Sequence, residues 1–162
     1  WLAPAGKNWL AMTIFAVAAI TDWLDGWLAR RLGLTSAFGA FLDPVADKLM
    51  VAAALILLVA LGRAEAYLAI IIIGREIAIS ALREWMAQIG ASRSVAVHVV
   101  GKAKTMVQMI AIPFLLYDGR LLGVVDTRAW GTVLIWLAAV LTIWSMAYYL
   151  RKAIPEIRAR AR

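Results

Sequence analysis

The chain has 162 residues, enough for one domain, and 64% of them are hydrophobic, with a mean hydropathy of +0.83. This composition excludes an ordinary soluble globular domain and makes a membrane protein the expected class. The sequence contains no cysteine, which excludes a disulfide, a thiolate nucleophile and a Cys-based zinc site. The net charge of +7 does not indicate nucleic-acid binding, because the basic residues flank apolar segments where lipid headgroups and topology explain them.

Five segments are predicted to span the membrane, since a spanning helix needs about 20 mostly apolar residues. We predict an all-α integral membrane protein with spans at approximately 9–28, 45–61, 66–85, 95–117 and 129–150. The last span contains no charged residue, whereas each of the other four carries charges toward one end. The connectors between spans are short, and Gly90 is predicted to stop the third helix.

The charged ends of these spans meet on one side of the membrane when the chain is followed through five crossings. That side holds thirteen of the 17 Lys and Arg residues, and the other side holds Lys7, Arg63, Arg120 and Arg128. The positive-inside rule therefore predicts that the charged side faces the cytoplasm. It also predicts that residue 1 lies outside, so that a further helix upstream would return the N-terminus to the cytoplasm.

Four aspartates on the charged side are the strongest functional signal in the sequence. A carboxylate at membrane depth is energetically costly and tends to face a cavity, a partner or an ion. On helices, Asp22 and Asp25 share one face, and Asp43 and Asp47, four residues apart, share another. Four ionised carboxylates repel one another, and two divalent cations would cancel their charge. Oxygen-only ligation favours Mg²⁺, Mn²⁺ or Ca²⁺, and two such cations can clamp a diphosphate.

Phosphoryl transfer or hydrolysis at the membrane surface is therefore the predicted chemistry. The structural alternative for these carboxylates is ion pairing between helices with Arg30, Lys48 or Arg75.

The spacing of these acids resembles the signature of the CDP-alcohol phosphotransferase family at every specified position. It reads Asp22-x-x-Asp25-Gly26-x-x-Ala29-Arg30, then eight residues, then Gly39-x-x-x-Asp43-x-x-x-Asp47. Flanking blocks resemble the bacterial members of this family that use glycerol 3-phosphate as acceptor; they are 41–48, 74–77, 82–85 and 101–105. The resemblance runs from about 19 to 150 and implies a homodimer with six transmembrane helices in each chain, five of which are visible here.

The resemblance also implies a role for each matching residue. Asp22, Asp25, Asp43 and Asp47 would bind metal, expected to be two Mg²⁺ or Mn²⁺ ions, and Asp47 would also act as the general base. CDP would be bound by Asp25, Gly26, Ala29, Arg30 and Gly39. The acceptor phosphate would be bound by Arg75, Lys102, Lys104 and Arg83.

The reaction implied by the resemblance joins CDP-diacylglycerol and glycerol 3-phosphate to give phosphatidylglycerophosphate and CMP. The expected location is the bacterial cytoplasmic membrane, with the site facing the cytoplasm and membrane lipids, not nucleic acid, as partners. A family enzyme with another acceptor, such as serine, inositol phosphate or phosphatidylglycerol, is the alternative. A divalent-cation transporter is a more remote one, because its path should be polar across the whole membrane, and span 129–150 is uncharged.

Several of these residues also have a purely structural interpretation. Arg75 could form an ion pair with an aspartate or with Glu76, and Glu76 and Glu84 are interpreted as structural partners of arginine. Lys102 and Lys104 could extend to the membrane interface, and these two near neighbours cannot both face the same way on a helix. The single histidine, His98, is interpreted as a hydrogen-bonded polar side chain.

Overall fold

The computed structural model describes residues 4–33, 36–90 and 99–160, in which five α-helices account for most of the chain. They are α1 (Pro4–Leu32), α2 (Ala37–Ala60), α3 (Ala66–Gln88), α4 (Val99–Tyr117) and α5 (Thr127–Arg160). A short antiparallel hairpin, β1 (Arg120–Leu121) and β2 (Val125–Asp126), occupies the predicted loop before α5. The all-α fold class is thus confirmed. The predicted start of the fourth span and His98 lie outside the described residues, as do the side chains of Arg30 and Lys102.

Helix ends follow local capping chemistry. α2 begins well before the predicted span because Ser36 caps it: the Ser36 Oγ accepts a hydrogen bond from the Gly39 N–H at 3.0 Å. Pro44 consequently lies inside α2 rather than in its first turn. Gly90 follows α3 with a φ of +75°, and its N–H donates to the Ala87 carbonyl at 3.0 Å. The predicted helix stop at Gly90 is therefore confirmed.

The core lies where α4 packs between the other helices. α5 packs along α4 and α3, and α1 packs mainly on α4, whereas α1 and α2 touch each other little. Side chains from all five helices form the main buried cluster, among them Phe15, Leu55, Ile72, Ile112 and Ile135. A smaller cluster joins α3 and α5 through Ile79, Met86, Tyr149 and Ala153. Burial of these apolar groups fixes the relative positions of α3, α4 and α5.

Large apolar side chains also point outward along the helices, including Ile14, Ile20, Ile70 and Trp144. Within the described residues, Gly6–Ala29 and Thr127–Arg158 are long and apolar enough to cross a membrane. α2, α3 and α4 are also rich in apolar residues, and each of them carries charged residues. Such an outward apolar surface is typical of a membrane protein and not of a soluble domain.

Candidate active site

The four predicted metal-binding aspartates lie on two helices at one end of the bundle, here called the aspartate end. Asp22 and Asp25 are in the second half of α1, and Asp43 and Asp47 are in the first half of α2. Each pair therefore shares a helix face, as predicted. Asp22, Asp25 and Asp43 are exposed, whereas Asp47 is half-buried against α3 and α4.

The arrangement of these carboxylates is looser than the sequence motif alone suggests. No described residue forms an ion pair with any of the four, which argues against the structural alternative of pairing with Lys48 or Arg75. Asp22 lies within Coulombic range of Asp47. Across the described residues, however, no three acidic or histidine side chains lie close enough together to hold one metal ion.

The helices that carry the two pairs make little contact with each other, so direct packing of α1 on α2 does not bring the four carboxylates together. The donor set itself suits a hard divalent cation, because every candidate ligand is a carboxylate oxygen. The chemical type of the candidate ligand atoms therefore suits a hard divalent cation.

Small residues accompany the aspartates on both helices. Gly26 and Ala29 on α1 and Gly39 on α2 are half-buried. A Cβ added at Gly39 would lie 3.2 Å from the Ser36 Oγ, so a larger residue there would press on the cap of α2. Because these residues have only a methyl group or a hydrogen as side chain, they leave room for a bulky ligand beside the aspartates.

A buried cluster of opposite charges lies beside Asp47. Lys104 on α4 is only 2% exposed and forms an ion pair with Glu76 on α3. The same Glu76 oxygen, Oε1, lies 3.3 Å from the Nη1 of Arg75. The alternative interpretation of Lys104, extension to the membrane interface, is thus wrong. It is wrong because Lys104 faces α3 and meets a carboxylate inside the bundle.

The Arg75 guanidinium contacts Glu76 and Tyr149, and its Nε has no hydrogen-bond partner among the residues that the structure describes. Arg75 forms the ion pair with Glu76 that its purely structural interpretation predicts. The same contact confirms the interpretation of Glu76 as a partner of arginine. The guanidinium carbon lies 5.6 Å from the centroid of the buried Tyr149 ring, within cation–π range. The Arg75 Nε is buried and has no hydrogen-bond partner in the described part of the chain. Arg83, two turns further along α3, is exposed and within Coulombic range of Arg75.

A small polar cavity of about 40 Å³ connects the aspartate end to this cluster. Four of its lining residues carry charge, namely Asp47, Lys48, Glu76 and Lys104, and Gln108 and Thr105 add polar groups. The sequence predictions missed Gln108 and Tyr149. Gln108 could have been found as the only polar residue between Thr105 and Tyr117, one turn after Lys104.

Comparison with known proteins shows which family the chain resembles. The family model described as CDP-alcohol phosphatidyltransferase matches residues 1–144. A Haemophilus influenzae protein named CDP-diacylglycerol–glycerol-3-phosphate 3-phosphatidyltransferase is 50% identical over 155 residues, which cover 94% of this chain and 82% of that protein. The protein of the same name from Escherichia coli K12 is 49% identical over 161 residues, covering 94% of this chain and 83% of the relative. With the aspartate motif on two helices and a match over most of its length, the chain belongs to the CDP-alcohol phosphatidyltransferase family.

Proposed function

We propose that this protein transfers the phosphatidyl group of CDP-diacylglycerol to glycerol 3-phosphate, giving phosphatidylglycerophosphate and CMP. The observation that carries the proposal is the pair of buried cations, Arg75 and Lys104, which share Glu76 as ion-pair partner, with Lys104 lining the same cavity as the half-buried Asp47. Relatives with about half of their residues identical bear the name of this reaction. An acceptor that carries a phosphate explains two buried cations better than serine does.

The acceptor phosphate is proposed to bind between Arg75 and Lys104. Their charges and that of Glu76 sum to +1, so the cluster still attracts an anion. The Arg75 Nε–H is a buried donor without a partner among the described residues, and a phosphate oxygen would satisfy it. Glu76 keeps the two cations from repelling each other before the phosphate arrives. Lys102 and Arg83 are proposed as further contributors to the positive field.

Asp47 is proposed as the general base. It lines the same cavity as Lys104, so an acceptor held by its phosphate would bring its primary hydroxyl toward the Asp47 carboxylate. That oxygen attacks the phosphorus that bears the diacylglycerol, its proton passes to Asp47, and the bond to the CMP phosphate breaks. We favour direct attack over a phospho-enzyme intermediate, because the aspartate motif contains no serine or cysteine nucleophile.

The family uses divalent cations, and we propose that Asp22, Asp25, Asp43 and Asp47 bind two of them, Mg²⁺ or Mn²⁺. When bound, such cations would neutralise part of the negative charge of the diphosphate. Asp25, Gly26, Ala29, Arg30 and Gly39 are proposed to bind the CDP moiety, for which the half-buried small residues leave space.

The membrane arrangement is part of the same proposal. We propose five spans at the positions given above, a homodimer, and the bacterial cytoplasmic membrane with the aspartate end facing the cytoplasm. The charged side predicted from the sequence coincides with the aspartate end, where CDP-diacylglycerol would reach Asp47 from the bilayer.

The direct test is incorporation of radiolabelled glycerol 3-phosphate into extractable lipid by the purified protein in mixed micelles. We expect product only with CDP-diacylglycerol and with Mg²⁺ or Mn²⁺ present, and one CMP released for each lipid formed. Serine, inositol phosphate and phosphatidylglycerol serve as competing acceptors. Product from one of these but none from glycerol 3-phosphate would overturn the proposed acceptor.

A further inference from the structure

Gln108 takes no part in the reaction proposed above, but its side chain lines the same cavity as Asp47 and Lys104. It lies on α4 one turn after Lys104 and is only 3% exposed. Its Oε1 is buried and has no hydrogen-bond partner within residues 4–33, 36–90 and 99–160. Buried polar atoms in folded proteins are almost always paired, so an amide oxygen left unpaired by these residues is a candidate to bind a ligand.

The place where Gln108 lies narrows the choice of that partner. Gln108 lines the cavity of about 40 Å³ that Asp47, Glu76 and Lys104 also line. This volume admits one small polar group and not a whole sugar or nucleotide. A hydroxyl group is suitable, because it can donate to the amide oxygen and can also accept a hydrogen bond from a neighbouring group.

We propose that Gln108 binds the secondary hydroxyl of the acceptor and thereby selects a polyol phosphate; this inference rests on the proposed function. In glycerol 3-phosphate that hydroxyl lies between the phosphate, held by Arg75 and Lys104, and the primary hydroxyl that meets Asp47. Gln108 lines the cavity that Lys104 and Asp47 also line, so the middle of such an acceptor would lie within reach of its side chain. The reacting hydroxyl is not its partner, because that hydroxyl gives its proton to Asp47.

The unpaired Oε1 of Gln108 would make the enzyme select acceptors that carry a secondary hydroxyl. An acceptor without the secondary hydroxyl would leave the Gln108 Oε1 buried and unsatisfied in the bound complex as well. Sites built to hydrogen-bond a hydroxyl discriminate strongly against analogues that lack it. Gln108 is therefore a specificity-determining residue. Phosphate binding by Arg75 and Lys104 and proton removal by Asp47 are separate roles.

The test compares glycerol 3-phosphate with 3-hydroxypropyl phosphate, which has the same primary hydroxyl and phosphate but no secondary hydroxyl. We expect the wild-type protein to prefer glycerol 3-phosphate in kcat/KM by about 10- to 100-fold. Gln108→Met keeps the length of the side chain and removes the amide. It should lower the preference to within about threefold, chiefly by reducing kcat/KM for glycerol 3-phosphate, with the KM for CDP-diacylglycerol unchanged.

Gln88→Met is the matched control, because Gln88 is exposed at the end of α3; the full preference should persist in this variant. A preference that is unchanged in a folded Gln108→Met overturns the inference, since a purely packing role would leave it intact. Equal use of the two acceptors by the wild-type protein also overturns it, without need of any variant. If glycerol 3-phosphate gives no lipid while another acceptor does, the proposed function itself fails.

Discussion

Two arginines at opposite ends of the bundle are almost equally buried but differ in how their donors are satisfied. The side chains of Arg63 and Arg75 are 11% and 9% exposed. Arg63 donates to the carbonyls of Leu115 and Leu116 at 3.3 and 2.7 Å and to the Asn8 Oδ1 at 2.6 Å. Its Nε also lies 3.2 Å from the Asp118 carboxylate. Arg75 has one carboxylate contact at 3.3 Å and a buried Nε without a partner in the described residues.

This difference separates a structural end from a functional end. Arg63 ties α1 to the last turn of α4 and satisfies carbonyls that a helix end leaves unpaired. We call this region, with the β1–β2 hairpin beside it, the hairpin end. At the aspartate end, the Arg75 Nε and the Gln108 Oε1 are buried without a hydrogen-bond partner in the described part of the chain, and three of the four aspartates are exposed. Because buried polar groups are almost always paired, we expect a ligand to complete the hydrogen bonding of these two atoms.

The largest expected effect is at the aspartate end. Asp47→Asn removes the proposed base with almost no change of shape, so we expect kcat to fall by about 10²- to 10⁴-fold. The measurement is the rate of lipid formation from glycerol 3-phosphate at saturating substrates. Asp126→Asn is the control at the hairpin end, where Asp126 accepts hydrogen bonds from the N–H groups of Arg128 and Ala129. Full turnover by Asp47→Asn would remove Asp47 from the role of base.

The next effect should be on stability alone. Arg63→Gln leaves the Asp118 carboxylate without its closest cationic partner and two α4 carbonyls without their donor. We expect the free energy of unfolding to fall by about 3 kcal/mol, as for loss of one partner from a buried pair. Thermal unfolding in detergent measures this loss. An unchanged midpoint would mean that the Arg63 hydrogen bonds do not hold the hairpin end together.

A smaller effect is expected from packing near the hairpin end. A Cβ added at Gly131 on α5 would lie 2.8 Å from the Cγ and 3.1 Å from the backbone nitrogen of Leu115. Gly131→Ala should therefore destabilise the protein by about 1–2 kcal/mol, because α4 and α5 must move apart. Gly74→Ala on α3 is the matched control, since a Cβ there meets nothing within 4 Å. Equal stability of the two variants would contradict close α4–α5 packing at this point.

The sequence predicted the helices and the residue types of the site but not its internal distances. Hydropathy placed five helices, and the spacing of Asp22, Asp25, Asp43 and Asp47 put each pair on one helix face, because helical periodicity is local. The separation between the two pairs depends on how α1 packs against α2, and no spacing along the chain determines that. The start of α2 was missed because the cap at Ser36 lies outside the apolar run.

The charged cluster was predicted only in part for a similar reason. Sequence identified Arg75 and Lys104 as cations within apolar spans, but it left open an ion pair for Arg75 and extension to the membrane interface for Lys104. Which carboxylate they meet is decided by tertiary packing, because Glu76 lies on α3 and Lys104 on α4. The burial of Gln108 likewise depends on tertiary packing, and polarity alone does not reveal it.

The measurement that tests the division between the two ends most directly is a comparison of Arg75→Gln with Arg63→Gln in steady-state kinetics, at a temperature where both are folded. We expect Arg75→Gln to lower kcat/KM for glycerol 3-phosphate by about 10- to 100-fold, as for a lost hydrogen bond to a charged group. Its KM for CDP-diacylglycerol should not change, and Arg63→Gln should leave both substrates unaffected. Wild-type kinetics in a folded Arg75→Gln, or the same acceptor defect in both variants, would contradict the division.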